Sequence, residues 1–478
     1  MGALMLLLTT VLVLSPITGH AQDSRAALEA ADRALGASGL KSIEIQGNGV
    51  TYLAGQAYVP GEPWPQFDVR SFVRVVNYET ASLRDDVLRT RTLEPPRGGG
   101  AYVRGEHKVV SVVSGDHAWN VMGEATVSAP ITLADRQFQL WSTPHGVVKA
   151  AMAGQATMQG RSISFGVPGR FKATAILDAA GLVERVDATV PSPVLGDMAV
   201  TVSYADYRDF GGVKFPTRIR QSYGGHPALD LTVTEVRPNV ADGIQVPDNV
   251  RQSANPYTRV SSQKAADGVW YVTGGSHHSV VIEMKDHLIV VEGPLNDERA
   301  LAVIGEARTL VPNKPIKYLV VSHHHFDHSG GVRAFAGEGA TLVTHEVSRP
   351  FFERVVAAPA TVDPDHLAKA GRKAAVEGVR DRHVLTDGSR TVEIRHITGI
   401  LHAGDMLMVY LPKEKFLIEA DAYTPPAVNV APMSPPSSFT VSLLENITKQ
   451  GLAVDQILPL HGRMVPLVDL QRAAGQSP

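Results

Sequence analysis

The chain of 478 residues contains no cysteine. Disulfides and lipid attachment through cysteine are therefore excluded, and a protein that leaves the cytoplasm with this composition must be held by packing alone. Charge of one sign is also missing: 45 Lys and Arg stand against 48 Asp and Glu, a formal net charge of −3. No basic cluster stands out, which argues against a nucleic-acid partner. Long apolar runs are absent too, because Leu6-Leu-Leu-Thr-Thr-Val-Leu-Val-Leu14 ends at Pro16, short of the ~20 residues that a membrane-spanning helix needs.

That short run has the form of a secretory signal peptide, although it has no Lys or Arg ahead of it. Residues 2–18 are uncharged, and Gly19-His-Ala21 offers small residues before Gln22, which predicts cleavage after Ala21. Four segments follow: a signal peptide over 1–21, a β-rich domain over 22–245, a linker over 246–256 and a second domain over 257–478. A periplasmic or secreted location is expected, with no stable membrane insertion after the signal is removed. The 44% hydrophobic content fits a folded, soluble protein of two or three domains. The sequence leaves the oligomeric state open.

The mature chain opens with an amphipathic helix over Ser24–Leu35, carrying Ala27, Leu28, Ala31, Ala34 and Leu35 on one face and stopped by Gly36. From about Ile43 to Val236 short alternating runs take over, with strands expected over Val69–Tyr78, Lys108–Val113, Arg170–Leu177 and Met198–Tyr204. Asp178-Ala-Ala-Gly181 and Asp209-Phe-Gly-Gly212 supply hairpin chemistry. Around Tyr207–Thr217 this antiparallel pattern resembles the half-barrels of periplasmic lipoprotein carriers. Trp64, Trp119 and Trp141 would then either line an apolar lumen or serve as plain core. His107, His117 and His145 show no ligand spacing and are expected as solvated or hydrogen-bonded surface groups.

Val246–Pro256 is polar and proline-punctuated. Beyond it, Val269–Glu283 and Leu288–Glu292 read as strands and Arg299–Val311 as a helix. Next comes Tyr318-Leu-Val-Val-Ser-His-His-His-Phe-Asp-His-Ser-Gly-Gly331, an apolar strand whose end releases His323, His325, Asp327 and His328 into one loop. Imidazole nitrogens with a carboxylate suit zinc at about 2.0–2.2 Å. Farther on, His402 precedes the apolar run Met406–Leu411, Asp421 follows Phe416–Ala420, and His461 follows Gln456–Leu460.

The motif His-x-His-x-Asp-His, with these three later residues in this order, resembles the metallo-β-lactamase-fold hydrolases. The resemblance implies an αββα sandwich, an α+β fold class for the chain as a whole, and two divalent metal ions, zinc ahead of iron or manganese. His323, His325 and His402 would hold the first ion and Asp327, His328 and His461 the second, with Asp421 bridging. Leu401, Ala420 and Leu460 replace glycines that the family usually carries before its ligands. His277 and His278 are expected at the cleft rim or in local hydrogen bonds, and His345 and His396 likewise outside the ligand set. Glu346–Arg382 is expected to flank the cleft with helices, including an Ala/Lys/Arg-rich run after Val356. The five-proline stretch Tyr423–Ser437 is expected to form either a pocket wall or a rigid surface connection.

The activity implied is hydrolysis of a small-molecule ester, thioester, lactone or β-lactam by a metal-activated hydroxide, with Asp327 orienting it and taking up its proton. Two alternatives differ in class: an iron-dependent persulfide dioxygenase of the same fold, and a binder of apolar or lipid-like ligands whose metal domain is inactive. His325 counts against the diiron oxygen reductases, which usually carry glutamate there. The mature protein is expected to begin at Gln22 and to be soluble; amino-terminal sequencing of exported material checks this, and a membrane-retained chain still carrying Met1–Ala21 contradicts it.

Overall fold

The computed structural model describes residues 18–100, 105–154 and 156–476, with side chains from Arg25 onward. The apolar leader Leu6–Leu14 lies outside the described residues. The first helix, Thr18–Leu35, starts ahead of the expected cleavage position. It buries Ala31 and Leu35 completely and ends where Gly36 turns to φ +70°, a conformation that glycine adopts without strain.

Thirteen strands between Ser42 and Pro238 form one sheet. Its first and last strands, Ser42–Tyr52 and His226–Pro238, pair antiparallel at the centre of the order, with Ile43 opposite Pro238. The expected strands appear as Gln66–Asn77, Glu106–Ser114, Phe171–Leu177 and Gly196–Asp209. Both predicted hairpins are present, joining Phe171–Leu177 to Val183–Ser192 and Gly196–Asp209 to Lys214–Tyr223.

The protein's own helices pack on this sheet. Phe138 and Leu140 of Leu133–Trp141, with Val147 and Val148 of Pro144–Met152, join Leu35, Ile43, Ile45 and Val202 in a single core. The tryptophans sit in separate contacts. Trp64 stacks on His226 at 4.8 Å, Trp119 packs with Val110, Val112 and Val250, and Trp141 leans on the main core.

His145 departs from its expected surface position. Its ring is fully buried, lies parallel to Phe215 at 5.9 Å and donates from Nε2 to the Leu35 carbonyl at 3.2 Å. The helix Pro144–Met152 is apolar on most of its surface, so a histidine at its first turn is carried inward with it.

The second domain is an αββα sandwich. Seven strands, ordered from Ser261–Ala266 to Val376–Val379, form one sheet, and six strands from Arg382–Thr386 to Val465–Pro466 form the other. Val280, Ile282, Ile289, Val320, Val409, Ile418 and Leu458 fill the space between them. Asp297–Leu310 and Val332–Glu338 cover the outer face of the first sheet. Ser438–Lys449 and Leu467–Ala473 cover that of the second. The expected helical run after Val356 is much shorter than the sequence implied: His366–Ala370 stops at Gly371, φ +62°, and Val376–Val379 continues as a strand of the first sheet.

The expected linker opens with a helical turn, Asp248–Arg251, whose Val250 is buried against the first domain. The two domains also meet at two other places. Gly404 N donates to the Tyr58 carbonyl at 2.7 Å, and Gly98 N donates to the Leu401 carbonyl at 2.8 Å. Elsewhere Asp197 accepts from Thr361 N at 2.9 Å and Val362 N at 3.1 Å, while Val194 and Leu195 enter the core of the second domain.

Burial pushes the His145 imidazole down from its usual 6.5 to about 4. The unfolded chain therefore takes up this proton first, and stability falls as pH drops from about 6.5 to about 4, by on the order of 3 kcal/mol. His145→Gln, which keeps a donor for the Leu35 carbonyl, removes this part of the pH dependence. Denaturation midpoints of parent and variant at pH 7 and pH 4.5 check it; parallel shifts in the two proteins contradict it.

Candidate metal centre

The motif loop starts at the end of the buried parallel strand Ile316–Val320 and runs into a single helical turn, Phe326–Ser329. The turn is seated closely: a Cβ on Gly330 would meet the Leu295 carbonyl oxygen at 2.0 Å, so no larger residue fits there. His402 comes from the loop before Leu407–Leu411, Asp421 from the end of Phe416–Glu419, and His461 from the end of Gln456–Pro459. Asp421 itself adopts φ +58°, a left-handed conformation that aspartate tolerates better than most residues. The conformational demand thus falls on Asp421 rather than on the buried Ala420 beside it.

Two groups of side chains converge here. His323, His325, His402 and Asp421 form one, and His277, His328 and His461 the other, with the candidate ligand atoms of each within 4.8 Å of one another. Asp421 stands between them. Its Oδ2 lies 3.3 Å from His323 Nε2, 3.1 Å from His402 Nε2 and 2.7 Å from His328 Nε2, and its Oδ1 lies 3.0 Å from His461 Nε2. Asp327 is half-buried beside the second group, with Oδ2 3.3 Å from His277 Nε2 and 3.8 Å from His328 Nε2.

The outer nitrogens of these rings determine what the inner ones present. His325 Nε2 faces the Ala57 carbonyl at 2.8 Å and His461 Nδ1 faces the Ser276 carbonyl at 2.7 Å. Carbonyls only accept, so these nitrogens carry the hydrogen, and the inner nitrogen carries a bare lone pair wherever the ring is neutral. His328 Nδ1 faces Glu292 Oε2 at 3.3 Å, which makes it the donor. Ser322 Oγ donates to Glu292 and so accepts from His323 Nδ1 at 2.9 Å.

The inner nitrogens nevertheless lie close together. His402 Nε2 is 3.3 Å from His323 Nε2 and 3.1 Å from His325 Nδ1, and His461 Nε2 is 3.2 Å from His328 Nε2. Lone pairs of His323 and His325 gathered around a carboxylate in a buried space repel unless a cation sits among them. The donor set therefore fits divalent metal ions, and it is of the nitrogen and oxygen type that zinc takes.

Protonation favours the same outcome in the first group. Burial drives the His323 imidazole down to about 3 and His325 well below its usual value, so both rings are neutral near pH 7. In the second group burial would lower His328 as well, but the neighbouring Asp421 and Asp327 carboxylates push it well above its usual value. Asp421 is held well below the ordinary carboxylate range by the rings of His328, His461 and His402, against the opposing effect of burial.

All seven residues singled out in the sequence thus gather at one place, and others join them. His277, expected at the rim, has its ring 4.3 Å from His461 and 5.1 Å from His328 and belongs to the second group. It is carried there by the turn between Val269–Thr273 and Ser279–Glu283, and no spacing relative to the motif marks it. His278 lines the cleft and donates to the Gly462 carbonyl at 2.9 Å, a bond across 184 positions in place of the local one expected. The rings of His345 and His396 lie 4.2 Å apart at a tilt of 41°, away from both groups. Glu292 went unnoticed in the sequence; its only signal there is a carboxylate directly after the apolar strand Leu288–Val291. It is buried at φ +76° and serves both His328 and Ser322. Asp405 is also buried and takes His324 out of the cluster by accepting from its Nδ1 at 2.9 Å and its backbone N at 3.0 Å.

A cleft of about 1090 Å³ opens over Asp327, His402, Asp421 and His461. Tyr423, Pro426, Pro432 and Met433 of the proline-rich stretch line it, and among the described residues no Lys or Arg does.

Residues 272–459 match the family model of the metallo-beta-lactamase superfamily. Over 165 residues the chain is 27% identical to the 2,4-dinitroanisole O-demethylase subunit alpha of Nocardioides sp. (strain JS1661), a stretch covering 34% of this chain and 47% of that one, so the match spans about half of that relative. Among solved structures, the metallo-beta-lactamase from Pontibacter korlensis is similar at TM-score 0.36 and 17% identity, over 45% of this chain and 98% of that one. The rubredoxin:oxygen oxidoreductase of Desulfovibrio gigas is similar at TM-score 0.36 and 17% identity, over 45% of this chain and 61% of that one. The family match, the two-sheet sandwich and its histidine and aspartate clusters together place residues 272–459 in the metallo-beta-lactamase superfamily.

Proposed function

We propose that the protein is an exported, dinuclear zinc-dependent hydrolase acting on an uncharged ester, thioester or lactone, with a β-lactam as the further member of the set. The observation that carries this reading is Asp421, whose two oxygens reach histidines of both groups. Two divalent ions bound there would lower the pKa of a shared water from 15.7 towards about 7 and polarise the substrate oxygen.

The chain's own residues supply the rest. Asp327 has one oxygen held by Gln56 and the other turned towards His277 and His328, so it is placed to orient an attacking water and to accept its proton. The absence of Lys and Arg among the described lining residues supports a substrate without a carboxylate that needs a counter-ion. The apolar lining from Pro426, Pro432 and Met433 supports recognition by shape and burial.

A second reading rests on the relative whose name assigns it O-demethylation of 2,4-dinitroanisole. An aryl methyl ether therefore belongs beside lactones, thioesters, phosphoesters and β-lactams in a substrate panel. Turnover of one class by the two-zinc protein is the expected result. Bound iron together with persulfide-dependent oxygen consumption would replace the hydrolase reading with a dioxygenase.

Asp421→Ala is expected to leave His323, His325 and His402 able to hold one ion while loosening the second. Loss of such a group costs about 3–4 kcal/mol, a rate about a hundred- to a thousandfold lower. Metal content per chain and steady-state rates check this, with His396→Ala as the control. Two ions per chain and the parent rate in Asp421→Ala would refute the assignment.

A further inference from the structure

The amino-terminal domain reaches into the metal centre through residues 53–58, the segment that follows the strand Ser42–Tyr52. Gln56 and Ala57 are buried there. Gln56 Nε2 donates to Asp327 Oδ1 at 2.7 Å, and its Oε1 accepts from Gly100 N at 3.0 Å. The backbone N–H of Gly100 can only donate, which fixes the amide so that its NH₂ faces the carboxylate. The Ala57 carbonyl accepts from His325 Nε2 at 2.8 Å and so leaves the Nδ1 lone pair facing His402 Nε2 at 3.1 Å.

This segment is itself braced. Gly99 N donates to the Gln56 carbonyl at 2.9 Å, and Arg91 donates to the carbonyls of Gly99, Gly98 and Arg97 at 2.9, 3.0 and 2.9 Å. Space is equally constrained. A Cβ on Gly99 would lie 1.8 Å from Gln56 Oε1 and 2.5 Å from His325 Cε1, and one on Gly55 would lie 2.1 Å from Phe326 Cγ. Phe326, directly after His325 in the motif loop, is therefore shaped to the amino-terminal domain.

We propose that residues 53–58 of the amino-terminal domain are a positioning element of the metal centre, in which Ala57 sets the tautomer of His325 and Gln56 sets the orientation of Asp327. The inference rests on the reading of the cluster as a metal site. It assigns the amino-terminal domain a role in the chemistry without any ligand of its own. Ligand-orienting partners of this kind are worth about 10–100-fold in metal affinity.

Gln56→Glu tests one contact with little change of shape. It keeps the acceptor for Gly100 N, replaces the donor to Asp327 with an oxygen and sets a second negative charge against that carboxylate, which it repels. Gly99→Ala tests the other by pressing on His325 and Gln56 from the opposite side. Zinc affinity is read on the full chain by competition with a chromogenic chelator, alongside the melting temperature of the metal-free protein. The expected result is about a 10–100-fold weaker second zinc in Gln56→Glu and a similar loss at the first in Gly99→Ala; the metal-free Gly99→Ala chain also melts lower, because its added Cβ overlaps Gln56 Oε1. Parent affinities for both ions in both variants overturn the inference alone, as does a loss in Gly99→Ala with none in Gln56→Glu. A parent chain that binds no zinc overturns this inference and the proposed function together.

Discussion

Everything around the carboxy-terminal cluster follows from one electrostatic constraint: several imidazole lone pairs are aimed at a shared carboxylate with no hydrogen of their own to place between them. His323 Nε2 and His325 Nδ1 are left bare because both rings are neutral and an acceptor sits behind each, whereas the neighbouring carboxylates keep a proton on His328. Such an arrangement is unfavourable in a buried space without a cation, and it persists only where the surroundings impose it. The imposition is visible in the backbone, where Asp421 and Glu292 both hold left-handed conformations, at φ +58° and +76°. Each conformation costs of order 1–3 kcal/mol, which the packed ends of the two sheets must offset.

The sandwich provides that offset through rigidity. The strands that deliver the ligands, Ile316–Val320, Leu407–Leu411, Phe416–Glu419 and Gln456–Pro459, are buried almost throughout. Their ends cannot relax away from the cluster without opening the core between the sheets. A cation that binds the native arrangement and not the unfolded chain adds its binding energy to folding, so cluster and core stabilise each other.

The residues that cluster were legible in the sequence because they occupy a dense motif and three strand ends whose order is distinctive. What it hid are residues brought in by turns. His277 sits in a short loop between two strands, and only the pairing of Val272 with Ser279 fixes where that loop points. Glu292 and Asp405 are single carboxylates at the ends of apolar stretches, a pattern shared with many solvated residues. His145 misled for the opposite reason: its isolation in sequence suggested a surface group, whereas its helix faces the core on nearly every side. In the stretch after Val356 helical composition gave way to the sheet, since Gly371 ended the helix and the open edge of Thr341–His345 could accept Val376–Val379.

Gln56 and Ala57 were illegible for a further reason, because they lie some 270 positions before their partners, 271 for Gln56 to Asp327 and 268 for Ala57 to His325. Their placement bears on why a β-rich domain accompanies the metal domain at all. Its helices pack part of its sheet through Phe138, Leu140, Val147 and Val148, and a cavity of about 950 Å³ stays open beside them over Phe72, Arg74, Val87 and Val110. Its contribution to the centre comes from the loop that follows its central strand Ser42–Tyr52, where a carbonyl and an amide supply the acceptor for His325 and the donor for Asp327. A sandwich lacking that loop would leave the Nε2 hydrogen of His325 without this acceptor and expose Phe326, which now packs against Gly55 and Trp64. The two domains are therefore coupled by a hydrogen-bonding requirement at the reactive centre, and contact area alone does not account for their association.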